Sequence, residues 1–154
     1  MITIHPLPWT QVDRVSHLIL TEPQYPLVGQ ITHMTAEKDR LTDFHCALRG
    51  TTYVGYFKVD RDFSRIVDRL PQGTMGFRGL LIGGQYQGLG YGSMLLTALP
   101  DYLRSTYPKR DAVWLSIAKH NARGIAVYEK AGWVADGPDR DGRFGPEQVM
   151  RLKL

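Results

Sequence analysis

Apolar positions along the chain recur with two periods, one near two residues and one near 3.6, and the switches between them mark out the elements. Residues 3–7 alternate weakly and predict an edge strand ended by Pro6 and Pro8. A helix is expected from Thr10, with Asp13 as its capping partner and Val12, Val15 and Ile19 along one face. It stops by Glu22-Pro23, since the residue before a proline avoids the helical region. Residues 23–33 read as a loop, and a second short helix runs from Thr35 to Leu41. Residues 43–48 and 52–59 are strand-like around Arg49-Gly50-Thr51, which predicts a hairpin. In residues 60–72, Phe63, Ile66, Val67 and Leu70 fall at helical spacing, compatible with a short helix or a longer excursion. A strand over 75–82 precedes a helix beginning near Ser93, whose Leu95, Leu96, Leu99 and Leu103 share a face. Pro100 lies inside that pattern and predicts a kink, and Pro108 ends it. A strand over 112–117 leads to a helix with Asn121 as its N-cap and Gly132 as its left-handed C-cap. Short strands over 133–135 and 148–154 close the chain, joined by a polar loop over 136–147. Strands interleaved with helices in this order predict an α/β or α+β fold around one mixed sheet.

The richest chemistry lies between the 75–82 strand and the next helix, where Gln87-Gly88-Leu89-Gly90-Tyr91-Gly92 carries three alternating glycines. Such a loop leaves backbone N–H groups unshielded at a helix N-terminus, where the helix dipole adds positive potential, so it suits a phosphate. A second segment, Asn121-Ala122-Arg123-Gly124-Ile125-Ala126-Val127-Tyr128-Glu129-Lys130-Ala131-Gly132-Trp133, follows the 112–117 strand.

Together these segments resemble the GNAT-family N-acetyltransferases. The family's pyrophosphate loop, Arg or Gln, two residues, Gly, one residue, Gly or Ala, is met by Gln87, Gly90 and Gly92, with Gln85 and Gly88 as a poorer register. The family's second motif is met by Asn121, Gly124, Val127-Tyr128-Glu129-Lys130 and Gly132-Trp133. Both motifs lie in the C-terminal half of the chain. The resemblance implies one domain over residues 1–154, with a mixed sheet of about six to seven strands, flanked by about four helices and splayed at an acetyl-CoA cleft. It also implies transfer of an acetyl group from acetyl-CoA to a primary amine by direct attack in a ternary complex.

That reaction needs a seat for coenzyme A, a dipole on the thioester carbonyl, removal of the amine proton and a proton for the thiolate. On the resemblance, Gln87, Gly88, Leu89, Gly90, Tyr91, Gly92 and Ser93 take the pyrophosphate. The backbone of Leu80, Leu81 and Ile82 polarises the carbonyl, Asn121 and Arg123 touch the coenzyme, and Tyr128 is the general acid. The 75–82 strand has no carboxylate to serve as base, since Arg78 is its one charged residue. His120, at the end of the following strand, is the expected base, with Glu22, Asp39 and Asp43 as other candidates. The amine is expected to belong to a small molecule; a protein or peptide amine, or a CoA-binding domain without turnover, are the alternatives.

Rival chemistries fit less well. His45 and Cys46 are strand neighbours whose side chains point to opposite faces, which disfavours a nucleophilic pair. The glycines are spaced by two in mid-chain, unlike a dinucleotide fingerprint. His33, His45 and His120 lack ligand spacing, so no metal is expected. The net charge of +4 is spread among acids, which argues against a nucleic-acid partner. A single cysteine and the lack of any long apolar run predict a soluble cytoplasmic protein with no membrane association, and leave a homodimer open.

Overall fold

The computed structural model describes residues 1–18 and 39–154. Eight strands form one sheet: β1 (Thr3–Pro6), β2 (Thr42–Arg49), β3 (Thr52–Asp60), β4 (Gly76–Ile82), β5 (Ala112–Ala118), β6 (Val134–Ala135), β7 (Arg140–Gly142) and β8 (Gly145–Lys153). Their order is β1-β2-β3-β4-β5-β8-β6, with β7 paired to β8. Neighbours are antiparallel except β4 and β5, which run parallel. Two α-helices, α1 (Tyr91–Thr106) and α2 (Ala122–Lys130), follow β4 and β5. The expected mixed sheet, edge strand β1 and β2–β3 hairpin are all present.

Strand alternation sends side chains to two faces, and each face has its own core. On one, Val54, Phe57, Val59, Phe77, Val113 and Leu115 meet the α1 stripe Leu95, Leu96, Leu99 and Leu103, with Trp133 beyond α2. On the other, Phe44, Cys46, Tyr56 and Leu81 meet Leu7, Val15 and Leu18. A smaller cluster of Phe63, Val67, Leu70 and Val149 closes that second face farther along the sheet.

Several elements differ from their sequence expectation. Residues Trp9–Val15 form a tight 3-10 helix entered from Pro8 without a side-chain cap, so the Thr10–Asp13 capping arrangement does not form. The expected end of that helix, the 23–33 loop and most of the helix from Thr35 to Leu41 fall outside the described residues. Residues 60–72 make one 3-10 turn, Phe63–Arg65, whose apolar residues cover the sheet. Helix α1 begins at Tyr91, two residues before the expected start, and carries Pro100 inside it, with the leucine stripe buried on both sides of that residue. The 136–147 stretch, expected as loop, contains β7, which turns back onto β8 through Arg143 and Phe144. Among the described residues no helix is long and apolar enough to cross a membrane.

Candidate active site

The β4–β5 junction creates the site. Only Gly76 and Trp114 pair across it, with the Trp114 N–H donating to Met75 O at 3.0 Å, and beyond that point the two strands diverge. On its other side β4 stays hydrogen-bonded to β3, with a register shift around Gly79, whose φ is +61°. The Gly83 N–H donates to Val54 O at 3.0 Å, so by the alternation of an antiparallel ladder Leu81 faces β3 while Leu80 and Ile82 turn their amides to the gap. Of the three backbone groups expected to polarise a carbonyl, Leu81 is therefore consumed by the ladder and its side chain is buried in the second core.

A cleft of about 710 Å³ occupies the gap. It gathers Leu80, Leu81, Ile82, Gln87, Gly88, Gly90, Tyr91, Gly92, Ser93, Asn121, Arg123 and Tyr128. The glycine loop owes its shape to Gly88 and Gly90, with φ of +78° and +82°, a region that costs an L-residue roughly 1–2 kcal/mol. Gly90 immediately precedes α1, whose first-turn N–H groups have no intrahelical acceptor. The Gln87 side chain donates from Nε2 to Ile82 O at 2.8 Å, tying the loop to the end of β4. That contact makes Gln87 a residue that shapes the loop. Tyr91 receives a hydrogen bond from Arg49 Nη1 at 3.2 Å.

At the start of α2, Asn121 Oδ1 accepts from the Gly124 N–H at 3.0 Å, which is the expected N-cap. Gly124 has to be small there: a Cβ would come 2.6 Å from Asn121 Nδ2 and 2.9 Å from Ile117 Cδ1. Gly132, with φ of +96°, ends the helix as expected. Tyr128 stands on the cleft side of α2 with its ring edge-on to Phe77 and Trp133, at centroid distances of 6.3 and 5.6 Å. Burial raises its pKa well above that of an ordinary phenol, so it remains protonated throughout the neutral range.

Two expected site residues are placed elsewhere. His120 is an exposed residue of the turn between β5 and α2 and does not line the cleft, because Asn121 turns the chain into the helix before His120 can reach inward. Leu89 is at the exposed tip of the glycine loop, 57% accessible, with its side chain outside the cleft. Of the alternative bases, Glu22 lies outside the described residues. Asp39 is engaged by Arg65 and the Leu41 N–H. Asp43 accepts from Tyr107 Oη at 2.7 Å and pairs with Arg61, away from the cleft. Cys46 is buried, and its thiol is pushed up to about 11, a poor nucleophile.

The cleft also holds residues that the sequence reading did not select. Lys58 on β3 and Arg78 on β4 are register partners and both line it. Glu147 on β8 is its one lining carboxylate among the described residues, and accepts from Ser116 Oγ at 2.6 Å and Arg140 Nη1 at 2.7 Å.

The model of the acetyltransferase (GNAT) family matches residues 11–133, and the chain belongs to that family. No curated protein matches it by sequence. Among solved structures, an aminoglycoside acetyltransferase, AAC(6')-Ib, in complex with coenzyme A is similar at a TM-score of 0.79 and 17% identity, over 99% of this chain and 95% of that one. The spermidine N-acetyltransferase from Vibrio cholerae in complex with CoA and spermine gives 0.71 and 15%, over 99% and 95%. The ribosomal-protein-S18-alanine N-acetyltransferase from Escherichia coli gives 0.67 and 18%, over 99% and 94%. The fold is thus the family's fold, and the chain is an acetyl-CoA-dependent acyltransferase by family.

Proposed function

We propose that this chain, acting as one domain, transfers an acetyl group from acetyl-CoA to the primary amine of a small molecule. The observation that carries the reading is the opening of β4 from β5 directly onto the left-handed glycine loop and the start of α1. A thioester arm laid in that gap would take the hydrogen bonds that β5 does not supply, from the Leu80 and Ile82 amides. Its pyrophosphate would meet the N–H groups from Gly88 to Ser93. Arg123 and Asn121, at the start of α2, would flank the same coenzyme.

In the reaction the neutral amine attacks the thioester carbonyl, and the developing oxyanion is held by an amide of β4. The C–N bond forms, the C–S bond breaks, the nitrogen loses one proton and the thiolate gains one. We assign the hydrogen bond to the departing sulfur to Tyr128, which burial keeps protonated. With no carboxylate on β4, the amine proton leaves through water beside Glu147, the carboxylate that lines the cleft. The similar structures are an aminoglycoside acetyltransferase, a spermidine N-acetyltransferase and a ribosomal-protein-S18-alanine N-acetyltransferase, so small-molecule amines are two of these three acceptors.

The test is a thiol-release assay with acetyl-CoA across a panel of amines, run beside calorimetric titration of CoA. Turnover of one or more small amines with CoA bound is the expected result. CoA binding without turnover of any amine would make the chain a binding domain, and absence of CoA binding would remove the reading altogether.

A further inference from the structure

The cleft is closed on one face of the sheet. Helix α1, with its leucine stripe, and α2, through Ile125, Val127 and Tyr128, both pack on the core that holds Phe77 and Leu115, so an acceptor reaches the gap from the opposite face. Trp114 and Val149 lie on that opposite face with Phe63 and Ile66. By strand alternation Ser116 and Glu147, two residues along β5 and β8, share it.

The charged groups on this side are engaged within the chain. Glu147 Oε1 accepts from Ser116 Oγ and Arg140 Nη1, and its Oε2 is turned against Gly142, where a Cβ would strike it. Arg78 is paired with buried Asp60, and Lys58, 6% exposed, has its own partner in the chain. The surface left for a ligand is apolar. Phe63 and Ile66 line the cleft from the turn after β3, and Phe144 lines it from the turn between β7 and β8.

Phe144 is out of character for its place. It is 52% exposed in a two-residue turn between Gly142 and Gly145, where Asn, Asp and Gly serve the backbone best and an aromatic side chain adds nothing to the turn. Arg143 Cζ lies 5.2 Å from the ring centroid, a cation–π contact that restrains the ring where it borders the cleft. This hairpin lies beyond residues 11–133, the stretch that the family model matches, so the ring is this chain's own equipment.

Resting on the acetyltransferase reading, we propose that the acceptor is a primary amine carrying an aromatic ring, and that Phe144 and Ile66 bind the ring while the amine reaches the thioester. Aromatic pairs favour offset or edge-to-face contact, and burial of the ring against Phe144 takes apolar surface of both partners out of water. A polycation gains nothing comparable, because among the described residues the one carboxylate lining the cleft is held by Arg140.

The experiment compares 2-phenylethylamine with ethylamine, which differ by the ring, with spermidine and kanamycin as polycations. In the native protein kcat/KM should be at least about tenfold higher for 2-phenylethylamine than for any of the others, expressed mainly in KM. In Phe144→Ala the ratio of 2-phenylethylamine to ethylamine should collapse toward one, and Phe144→Tyr should keep most of it. The substituted side chain is exposed, so the variants should fold, as circular dichroism checks. Equal or better use of ethylamine or a polycation by the native protein overturns the proposal, as does an aryl preference that survives in folded Phe144→Ala. Loss of a dimer in Phe144→Ala, seen by sedimentation with the preference intact, would assign the ring to contact with a second copy and also overturns it. Calorimetry with the two amines on CoA-saturated protein gives a readout independent of turnover. Tighter binding of 2-phenylethylamine that Phe144→Ala abolishes, without turnover, supports the ring site while removing the catalytic reading; no difference in binding overturns the site.

Discussion

Two junctions of the same sheet behave in opposite ways. Between β2 and β3 the ladder runs from Thr42↔Asp60 to Arg49↔Thr52, interrupted by one register shift between Ala47 and Leu48. Between β4 and β5 a single pair, Gly76↔Trp114, is made before the strands part. Backbone polar groups away from water need partners, so an open junction of this kind is stable where solvent or a ligand completes it. The closed junction is where the fold is fixed, and the open one is where a ligand substitutes for a strand.

The closed half has its own polar lock. His45 on β2, 2% exposed, is bonded through Nδ1 to Tyr102 Oη at 2.7 Å and through Nε2 to Tyr107 Oη at 3.0 Å. Tyr107 gives its one hydroxyl proton to Asp43, so it accepts from His45, whose proton therefore sits on Nε2. The imidazole is neutral, and burial lowers its pKa to about 4.

The sharpest way to break the comparison is at the open junction. Gly90→Val forces a β-branched side chain into φ +82° and turns the loop amides away. Loss of two charge-assisted hydrogen bonds, at about 2 kcal/mol each, predicts roughly a thousandfold rise in the Kd for CoA. The circular dichroism spectrum should remain native. Undiminished calorimetric affinity would detach the loop from coenzyme binding.

Next in size is the closed half. The unfolded chain protonates histidine near pH 6.5, whereas native His45 resists until about pH 4, so the unfolded state binds more protons between those values. Stability should be highest above pH 6.5 and fall as pH drops through that window, by up to about 3 kcal/mol from this group. Urea melts at stepped pH should show the fall, and His45→Phe should flatten it; an identical slope in both proteins would rule out the assignment.

A smaller effect is expected from Tyr128→Phe, which keeps the ring between Phe77 and Trp133 and removes only the hydroxyl. The kcat should drop by at least about tenfold with little change in Tm or CoA affinity. Wild-type turnover would make Tyr128 a packing residue. The smallest effect belongs to His120→Ala. This side chain is exposed outside the cleft, so the pH profile of kcat/KM should be unchanged. A shifted acidic limb would bring His120 back as a base.

What could be read from sequence was what the chain writes locally. Gly88 and Gly90 declare left-handed backbone, Asn121 declares a cap, and Gly124 declares a close approach, each within a few residues of its effect. These signals recovered most of the cleft. Spacing could show that His120 follows a strand, but not that the strand's end points it to solvent. Lys58 and Arg78 were missed because they come from two strands and meet only through sheet register, and nothing near either of them along the chain marks a site. The 136–147 stretch could be read as bordering the acceptor side, but not that Glu147 within it lines the cleft. The β7–β8 hairpin was missed for a related reason: its residues around Arg140 and Glu147 are polar and lack the apolar alternation that announces a strand.

The register shift in β4 carries a consequence best put as odd and even numbers. Arg78 pairs with Lys58 and Leu81 with Tyr56, so three residues on β4 span the distance of two on β3. In a regular strand, residues 78 and 81 would point to opposite sides; the extra residue near Gly79 changes the parity and brings both to one side. Upstream of the shift that side is charged, and downstream it is oily, packed with Tyr56 and Leu18. The strand's arithmetic is therefore more fragile than its composition. Closing the bulge without shortening the strand would invert everything on one side of it, sending either the cation out of the cleft or Leu81 out of its core, whereas removing one residue at 79 or 80 would restore a regular ladder with both still on one side.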